Sequence, residues 1–306
     1  MFLNTDSKYI WLNGDFHPFN DTNIHLLSNT LHYGMGVFEG VRAYETNNGG
    51  AIFRLTEHTE RLFSAASKIN ITIPYSSDEL CQAQIDTMSM NKLSEGYIRP
   101  IVFLGSESMG LRSQDSLSVN VAIACWEWPS YMDPDAKKNG ISVIKSPFQQ
   151  YDNPLYSNNK IIGTYVNSIM AVNDAISKGA EEAILMDKNG YISEGSGENL
   201  FIVKNDELIT PTTDYCLNGI TRQSVISIAK KLHYSVKERN LSFDDLLESD
   251  EAFYSGTAVE ITPITIVDGA KIGSGIIGPV TEILQNKYSE IVCGQDTSYS
   301  DWLTAI

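Results

Sequence analysis

KIIGTYVNSIMAVNDAISKGAEEAILMDKNGYISEGSGEN, running from Lys160 to Asn199, decides how the rest of the chain is read. Val166, Ile169, Val172, Ala175 and Ile176 recur at helical spacing and are expected to face inward, with Gly179 as the stop. EEAILMD and YISEG read as strands joined at Asn189-Gly190, a pair that tolerates positive φ and so favours a hairpin. A lysine stands just before the helix, Tyr165 follows five residues later, and Glu194 ends the strand-turn-strand. Helix and strands in this order point to a mixed α+β or α/β fold.

A lysine amine, a phenol and a carboxylate on one structural unit suit a Schiff-base cofactor. The amine bonds the carbonyl, the phenol steadies a ring oxygen, and the carboxylate keeps a pyridine nitrogen protonated, which is the pairing used by pyridoxal 5'-phosphate (PLP). The ordinary alternative is that Lys160 is one surface charge among 22 Lys and Arg and that Glu194 is a turn acceptor before its glycines. The cofactor reading requires Lys160 to be desolvated, which favours its neutral, nucleophilic form. It also requires a cradle for a dianion. Ile220 and Thr221 of GITR stand at a helix start, where unpaired N–H groups and the helix dipole attract anions. Ser255 to Ala258 (SGTA) end a strand with further donors, and Arg61 offers a bidentate cation.

Length and composition set the outer bounds. The 306 residues suggest two domains, and 42% hydrophobic content suffices for ordinary cores. A formal net charge of −16 repels phosphate backbones, so nucleic acid is not an expected partner. No apolar run reaches the ~18 residues needed to span a bilayer, and the first residues show no signal-peptide pattern, so no membrane and a cytoplasmic location are expected. The four cysteines form no CxxC pair, consistent with reduced thiols, and the five histidines show no metal spacing, so no metal is expected.

Taken in order, YIWLNGDFHPF reads as a hairpin about Asn13-Gly14. Gly34, Gly36 and Gly40, interleaved with Tyr33, Val37 and Phe38, allow close backbone approach. AIFRL is a strand leading into a helix with Leu62, Phe63, Ala66 and Ile69 on its apolar face, and DELCQAQIDTMSMNKL is a second helix. In GYIRP, Tyr97 and Arg99 share a strand face, and Pro100 suggests an edge or a bulge. SVNVAIACWEWP is a buried strand ending at Trp126 and Trp128. Residues 1–130 are therefore expected as an N-terminal α+β domain, 131–139 as a polar interdomain loop, and 140–306 as a larger second domain.

Lys160-to-Tyr165 with EGSGENLF resembles the signature of the fold-type IV PLP enzymes, and HYGMGVFEGVRAY, GYIRP and SGTAVEITPI resemble branched-chain amino-acid aminotransferases in particular. The resemblance covers nearly the whole chain, in order. It implies a C-terminal pseudo-barrel domain with surrounding helices. It implies Lys160 as the catalytic lysine, with Arg61, Tyr165, Glu194, Leu217, Ile220, Thr221 and Thr257 around the cofactor. Thr257, Ala258 and Tyr97 would take the substrate α-carboxylate, and Tyr33, Phe38, Trp128 and Tyr131 would form the side-chain pocket. Arg99 would meet the distal carboxylate of glutamate, and the surroundings of Tyr33 and Leu111 would reach a neighbouring subunit. The implied reaction moves the amino group of L-leucine, L-isoleucine or L-valine to 2-oxoglutarate, within branched-chain amino-acid biosynthesis or degradation. The implied assembly is a homodimer at minimum, with a hexamer also open. Two departures stand out: Ile161-Ile162 where the family commonly has small residues, and Gln149-Gln150 where an arginine is common. D-amino-acid or (R)-amine transaminase and aminodeoxychorismate lyase are the alternatives within the fold, and FEGVR and YIRP argue against them. A PLP-binding protein without turnover and a cofactor-free domain remain the readings outside it.

Overall fold

Asn13-Gly14 turns the first hairpin as expected, with both residues at positive φ (52° and 105°) between β1 (Tyr9–Leu12) and β2 (Asp15–Pro18). The computed structural model describes residues 8–112, 114–128 and 135–306. The chain divides into two units: Met1–Pro129 with Lys160–Gly163 and Ile291–Ile306, and Ser130–Asn159 with Thr164–Glu290.

The first unit continues with α1 (Asn29–Tyr33), β3 (Gly36–Phe38), β4 (Val41–Thr46), β5 (Gly49–Phe53), α2 (Leu55–Lys68), α3 (Ser77–Met90), β6 (Gly96–Leu104) and β7 (Val119–Trp126). Its sheet runs from the C-terminal strand Leu303–Ala305 through β5, β4, β6, β7 and β1 to β2, with β3 also on β6. Helix α2 buries Leu55, His58, Thr59, Leu62, Ala65 and Ala66, the three-and-four spacing of one helical face. Helix α3 starts at a capping box in which Ser76 and Glu79 satisfy each other's backbone N–H.

Pro100 does not sit on an edge. Strand β6 is central, paired with β7 on one side and with β3 and β4 on the other. The register explains how a proline is accommodated there. Strands β3 and β4 share a single register on β6, interrupted at Glu39-Gly40. Opposite Pro100, the Glu39 N–H donates to the Pro100 carbonyl at 2.9 Å. The return bond would need a proline N–H, which does not exist, so the ladder breaks at that rung.

The Lys160–Gly163 segment is laced to β3. Phe38 N–H donates to the Lys160 carbonyl (3.2 Å), Val37 bridges Ile161, and Gly163 N–H donates to the Gly34 carbonyl (3.0 Å). Gly34 has φ 68°, and a Cβ there would lie 2.6 Å from the Gly163 Cα. The glycine-dense stretch thus admits another backbone. The unusual Ile161-Ile162 pair belongs to the same contact: Ile161 is buried, and the Ile162 Cδ1 would lie 2.7 Å from a Cβ placed on Gly36.

The second unit holds α4 (Ala136–Asn139), β8 (Ile141–Gln149), α5 (Pro154–Ser157), α6 (Tyr165–Ser177), β9 (Glu182–Met186), β10 (Ile192–Glu194), β11 (Asn199–Lys204) and β12 (Glu207–Thr210). It continues with α7 (Ile220–Lys231), β13 (Ser235–Glu238), α8 (Phe243–Leu247), β14 (Glu251–Gly256), β15 (Glu260–Val267) and β16 (Ala270–Lys271), and α9 (Pro279–Val292) follows. The sheet order is β10-β9-β8-β15-β14-β11-β12-β13, with β16 on β15, and the sheet curls into a half-barrel. Strands β8 and β9 are parallel, as are β12 and β13. Each pair is joined through a helix, α6 and α7 respectively, because a parallel connection needs a crossover.

Helix α6 corrects an expectation. Its buried residues are Ala171 and Ala175, packed with Ala180, Ala183 and Leu185, while Val166, Ile169 and Ile176 are exposed. Of the residues expected inward, Ala175 is buried and Val172 half-buried; the helix is apolar on more than one face, so periodicity did not by itself single out the inward one. Two alanines one turn apart let it lie close on the sheet.

The Gly34–Gly163 contact has a measurable consequence. Gly34→Ala forces a side chain into left-handed backbone, a cost of about 1–2 kcal/mol, and adds the clash with Gly163. Gly49→Ala, also at positive φ (100°) but with open space around it, carries only the first cost. Thermal unfolding is expected to show the larger loss for Gly34→Ala; equal losses would remove the backbone contact as a constraint.

Candidate active site

In the first unit, alternation along the strands sets Phe38, Tyr97, Arg99 and Trp126 on one sheet face, since Phe38 pairs with Ile101 and Trp126 with Tyr97. The Arg99 guanidinium carbon lies 4.6 Å from the Phe38 ring centre and 5.3 Å from that of Tyr97. Its Nη2 donates to the Tyr97 hydroxyl at 3.3 Å. Tyr97 stacks on Trp128 at 4.7 Å between ring centres. Gly40 underlies this wall: a Cβ there would meet the Tyr97 hydroxyl at 1.8 Å. The half-buried Lys160 places its Nζ 5.5 Å from the centre of the Phe38 ring. Tyr33 and Leu111 are exposed, and Tyr131 lies outside the described residues.

In the second unit, Glu194 ends β10 and is buried. Gln150 Nε2 donates to its Oε1 at 2.6 Å, and the Leu217 N–H donates to Oε2 at 3.2 Å. These two neutral donors orient the carboxylate. Gln150, noted from sequence only as a departure, therefore has a positioning role. The loop carrying Leu217 is tied by Asn199 Nδ2 to the Leu217 carbonyl (2.8 Å) and by the buried Arg222 to the Pro211 carbonyl (2.8 Å). It runs into α7, whose first residues, Ile220 and Thr221, are buried and whose Gly219 N-cap offers no side chain. A helix start without a side-chain cap presents its first-turn N–H groups to an anion. The Ser255 hydroxyl is buried with no hydrogen-bond partner among the described residues, and the half-buried Thr257 and Ala258 follow in the turn after β14. Tyr165 opens α6 and is half-buried.

Glu39 is the residue that sequence reading missed. Strand alternation turns it away from Phe38 and toward α2. Arg61 Nε and Nη2 donate to its two carboxylate oxygens at 2.6 and 2.9 Å, and His58 Nδ1 lies 2.9 Å from one of them. An acid inside the apolar run GVFEGV was the available signal, because a buried carboxylate requires a partner. Burial alone would raise the Glu39 carboxyl, but the charge and hydrogen bonds of Arg61, with those of His58, hold it well below the usual carboxylate range. Burial pushes His58 down; Glu39 pulls it up, and the charges of Arg61 and Lys160 push it down further. Both groups are depressed on folding, so both contribute stability that is lost as the pH falls. His58 acts first, below its ordinary value of 6.5, and Glu39 follows below 4.5. Glu39→Gln is expected to cost about 3–5 kcal/mol at neutral pH, because it removes the charged half of a buried carboxylate–guanidinium pair. It is also expected to flatten the acid limb in denaturant titrations; an unchanged slope below pH 4.5 would assign that limb to another group.

Residues 36–267 match the model of the family described as amino-transferase class IV. A branched-chain-amino-acid aminotransferase of Pseudomonas aeruginosa is 47% identical over 298 residues, covering 97% of both chains. Among solved structures, the branched-chain amino acid aminotransferase of Escherichia coli matches with a TM-score of 0.94 at 39% identity, over 97% of this chain and 98% of that one. That of Thermobaculum terrenum, solved in its PLP-form, matches with a TM-score of 0.88 at 30% identity, over 97% of this chain and 98% of that one. The family span takes in the Glu39 cluster, Lys160, Glu194 and the helix start at Ile220, and the relatives match from end to end: this chain belongs to the class IV aminotransferases.

Proposed function

We propose that this chain is a PLP-dependent branched-chain-amino-acid aminotransferase of fold type IV. It moves the amino group of L-leucine, L-isoleucine or L-valine to 2-oxoglutarate, giving the branched 2-oxo acids and L-glutamate. The observation that carries the reading is the 47% identity, over 97% of both chains, to an enzyme of that name. The residues present fit the cofactor. The uncapped start of α7 and the orphaned Ser255 hydroxyl suit a phosphate, and Glu194, oriented by neutral donors, suits a protonated ring nitrogen.

When bound, PLP supplies an electron-withdrawing ring that acidifies the substrate Cα–H. Lys160 Nζ would hold the cofactor and would carry the substrate Cα proton, as general base and then acid. Glu194 would keep the ring nitrogen protonated, Tyr165 would steady the ring oxygen, and Leu217 would pack on the ring. Ile220, Thr221 and Thr257 would hold the phosphate, and Arg61, whose fork is set by Glu39, would add a cation. Thr257 and Ala258, assisted by Tyr97, take the substrate α-carboxylate. Tyr33, Phe38 and Trp128 would form the apolar side-chain pocket, to which the resemblance adds Tyr131, and Arg99 would pair with the distal carboxylate when the substrate has one.

The same reading includes a homodimer at minimum, with a hexamer as the larger form, and a place in the cytoplasm. Exposed Leu26, Leu31, Tyr33 and Leu111, and Val166 and Ile169 on α6, are apolar surface that a second copy would cover. No helix among the described residues is long and apolar enough to cross a membrane, and the cysteines are thiols.

Purified protein supplied with PLP is expected to make glutamate from L-leucine and 2-oxoglutarate; activity on D-alanine alone would overturn the substrate assignment. Lys160→Ala is expected to abolish turnover, and repeated cycles in that variant would contradict its role as base. Arg99→Ala is expected to lower kcat/KM for 2-oxoglutarate by at least ~10-fold more than for L-leucine, and equal losses would remove its role.

A further inference from the structure

Trp126 ends β7 opposite Tyr97, on the face that carries Arg99. Its ring centre lies 5.2 Å from that of Tyr97, 5.9 Å from that of Trp128 and 5.9 Å from the Arg99 guanidinium carbon. The indole Nε1 is buried and has no hydrogen-bond partner among the described residues, and the same is true of Arg99 Nε. A buried donor left unmade is costly, and a phenyl ring at position 126 would keep the stacking without that cost. Two orphaned N–H groups in one aromatic wall, one of them on a cation, point to an acceptor that arrives from outside. Arg99 Nη2 is already turned to the Tyr97 hydroxyl, and the guanidinium lies against Phe38. Its Nε edge is thus the part still to be satisfied.

We infer that Trp126 is a specificity-determining residue, its indole N–H joining Arg99 Nε to receive the distal carboxylate of the amino-group acceptor. The inference rests on the role proposed above for Arg99. A carboxylate carries two acceptor oxygens and can engage a charged and a neutral donor together. A branched aliphatic side chain offers neither oxygen. It fills the same aromatic wall and leaves the two donors as they stand in its absence. One pocket then serves both substrates of the exchange, and the discrimination comes from what the carboxylate gains.

Trp126→Phe in the PLP-loaded enzyme tests this. The ratio of kcat/KM for 2-oxoglutarate to that for 4-methyl-2-oxopentanoate is expected to fall ~10-fold, mainly through KM, as for loss of one hydrogen bond to a charged acceptor. Because both substrates are read on one preparation, the ratio is insensitive to the fraction folded. Glutarate, which has the two carboxylates and no reactive carbonyl, is expected to bind the holoenzyme correspondingly more weakly by calorimetry, and 4-methylvalerate much less so. Trp126→His, which restores a ring N–H, is expected to recover part of the ratio. An unchanged ratio in Trp126→Phe, or glutarate and 4-methylvalerate weakened alike, overturns the inference and indicates that the two donors hold water. Arg99→Ala run alongside separates the levels. If that variant also leaves the ratio unmoved, the Arg99 assignment falls and takes the inference with it. If it moves the ratio and Trp126→Phe does not, the inference about Trp126 alone fails.

Discussion

Two glycine backbones in contact, Gly34 and Gly163, underlie the placement of the lysine on which the proposed chemistry depends. Any side chain at position 34 would meet the opposing main chain before the hydrogen bonds from Phe38 to Lys160 and from Gly163 to Gly34 reached their lengths. Those bonds make Lys160–Gly163 a short extension of the first unit's sheet, although the chain on either side belongs to the second unit. A lysine on a long flexible stem is a poor catalyst unless its backbone is held, because each freely rotating bond must be ordered before reaction. Here the main chain is held by β-type pairing, and Ile161 and Ile162 add apolar contacts on β3. The bulky pair strengthens the clasp that smaller residues would leave looser.

Two buried carboxylates illustrate how environment divides labour between chemically identical groups. Glu39 lies against a guanidinium and an imidazole, which hold it ionised and spend its charge internally. Glu194 receives hydrogen bonds from an amide side chain and a backbone N–H, which fix its direction. The first arrangement is suited to setting a cation's orientation; the second is suited to meeting a cation that arrives with a ligand. Tyr254 and Glu182 sit in the same buried region as Glu194. The Tyr254 hydroxyl donates to the Ala183 carbonyl and its phenol is pushed up by burial and by the neighbouring glutamates, so it acts as a fixed strut.

Several features were legible because they are local. Asn13-Gly14 tolerates positive φ within two residues, and the hairpin follows. Tyr97 and Arg99 share a face because strands alternate. Other features were not legible, for an equally physical reason. Pro100 was expected at an edge or a bulge, since a proline cannot donate. The sheet instead keeps it central by breaking the facing strand at Glu39-Gly40, a solution visible only when residues about sixty apart are paired. The inward face of α6 is another case. Val166, Ile169 and Ile176 were expected inward with Ala175, yet the sheet selected Ala175 and Ala171, because close helix-on-sheet packing favours small side chains.

By itself, then, the amino-acid order determined the kinds of element, the positions of the tight turns and the chemistry-bearing residue types with their spacing, since each depends on sterics or hydrogen bonding within a few residues. Only the tertiary structure decided that Lys160 is clasped to β3, that Glu39 is spent on Arg61 and His58, that Gln150 orients Glu194, and that Trp126 and Arg99 hold buried donors on one wall. Those outcomes depend on pairings between segments far apart in the chain. No local signal encodes which of several chemically equivalent partners the folded backbone will bring within hydrogen-bond reach.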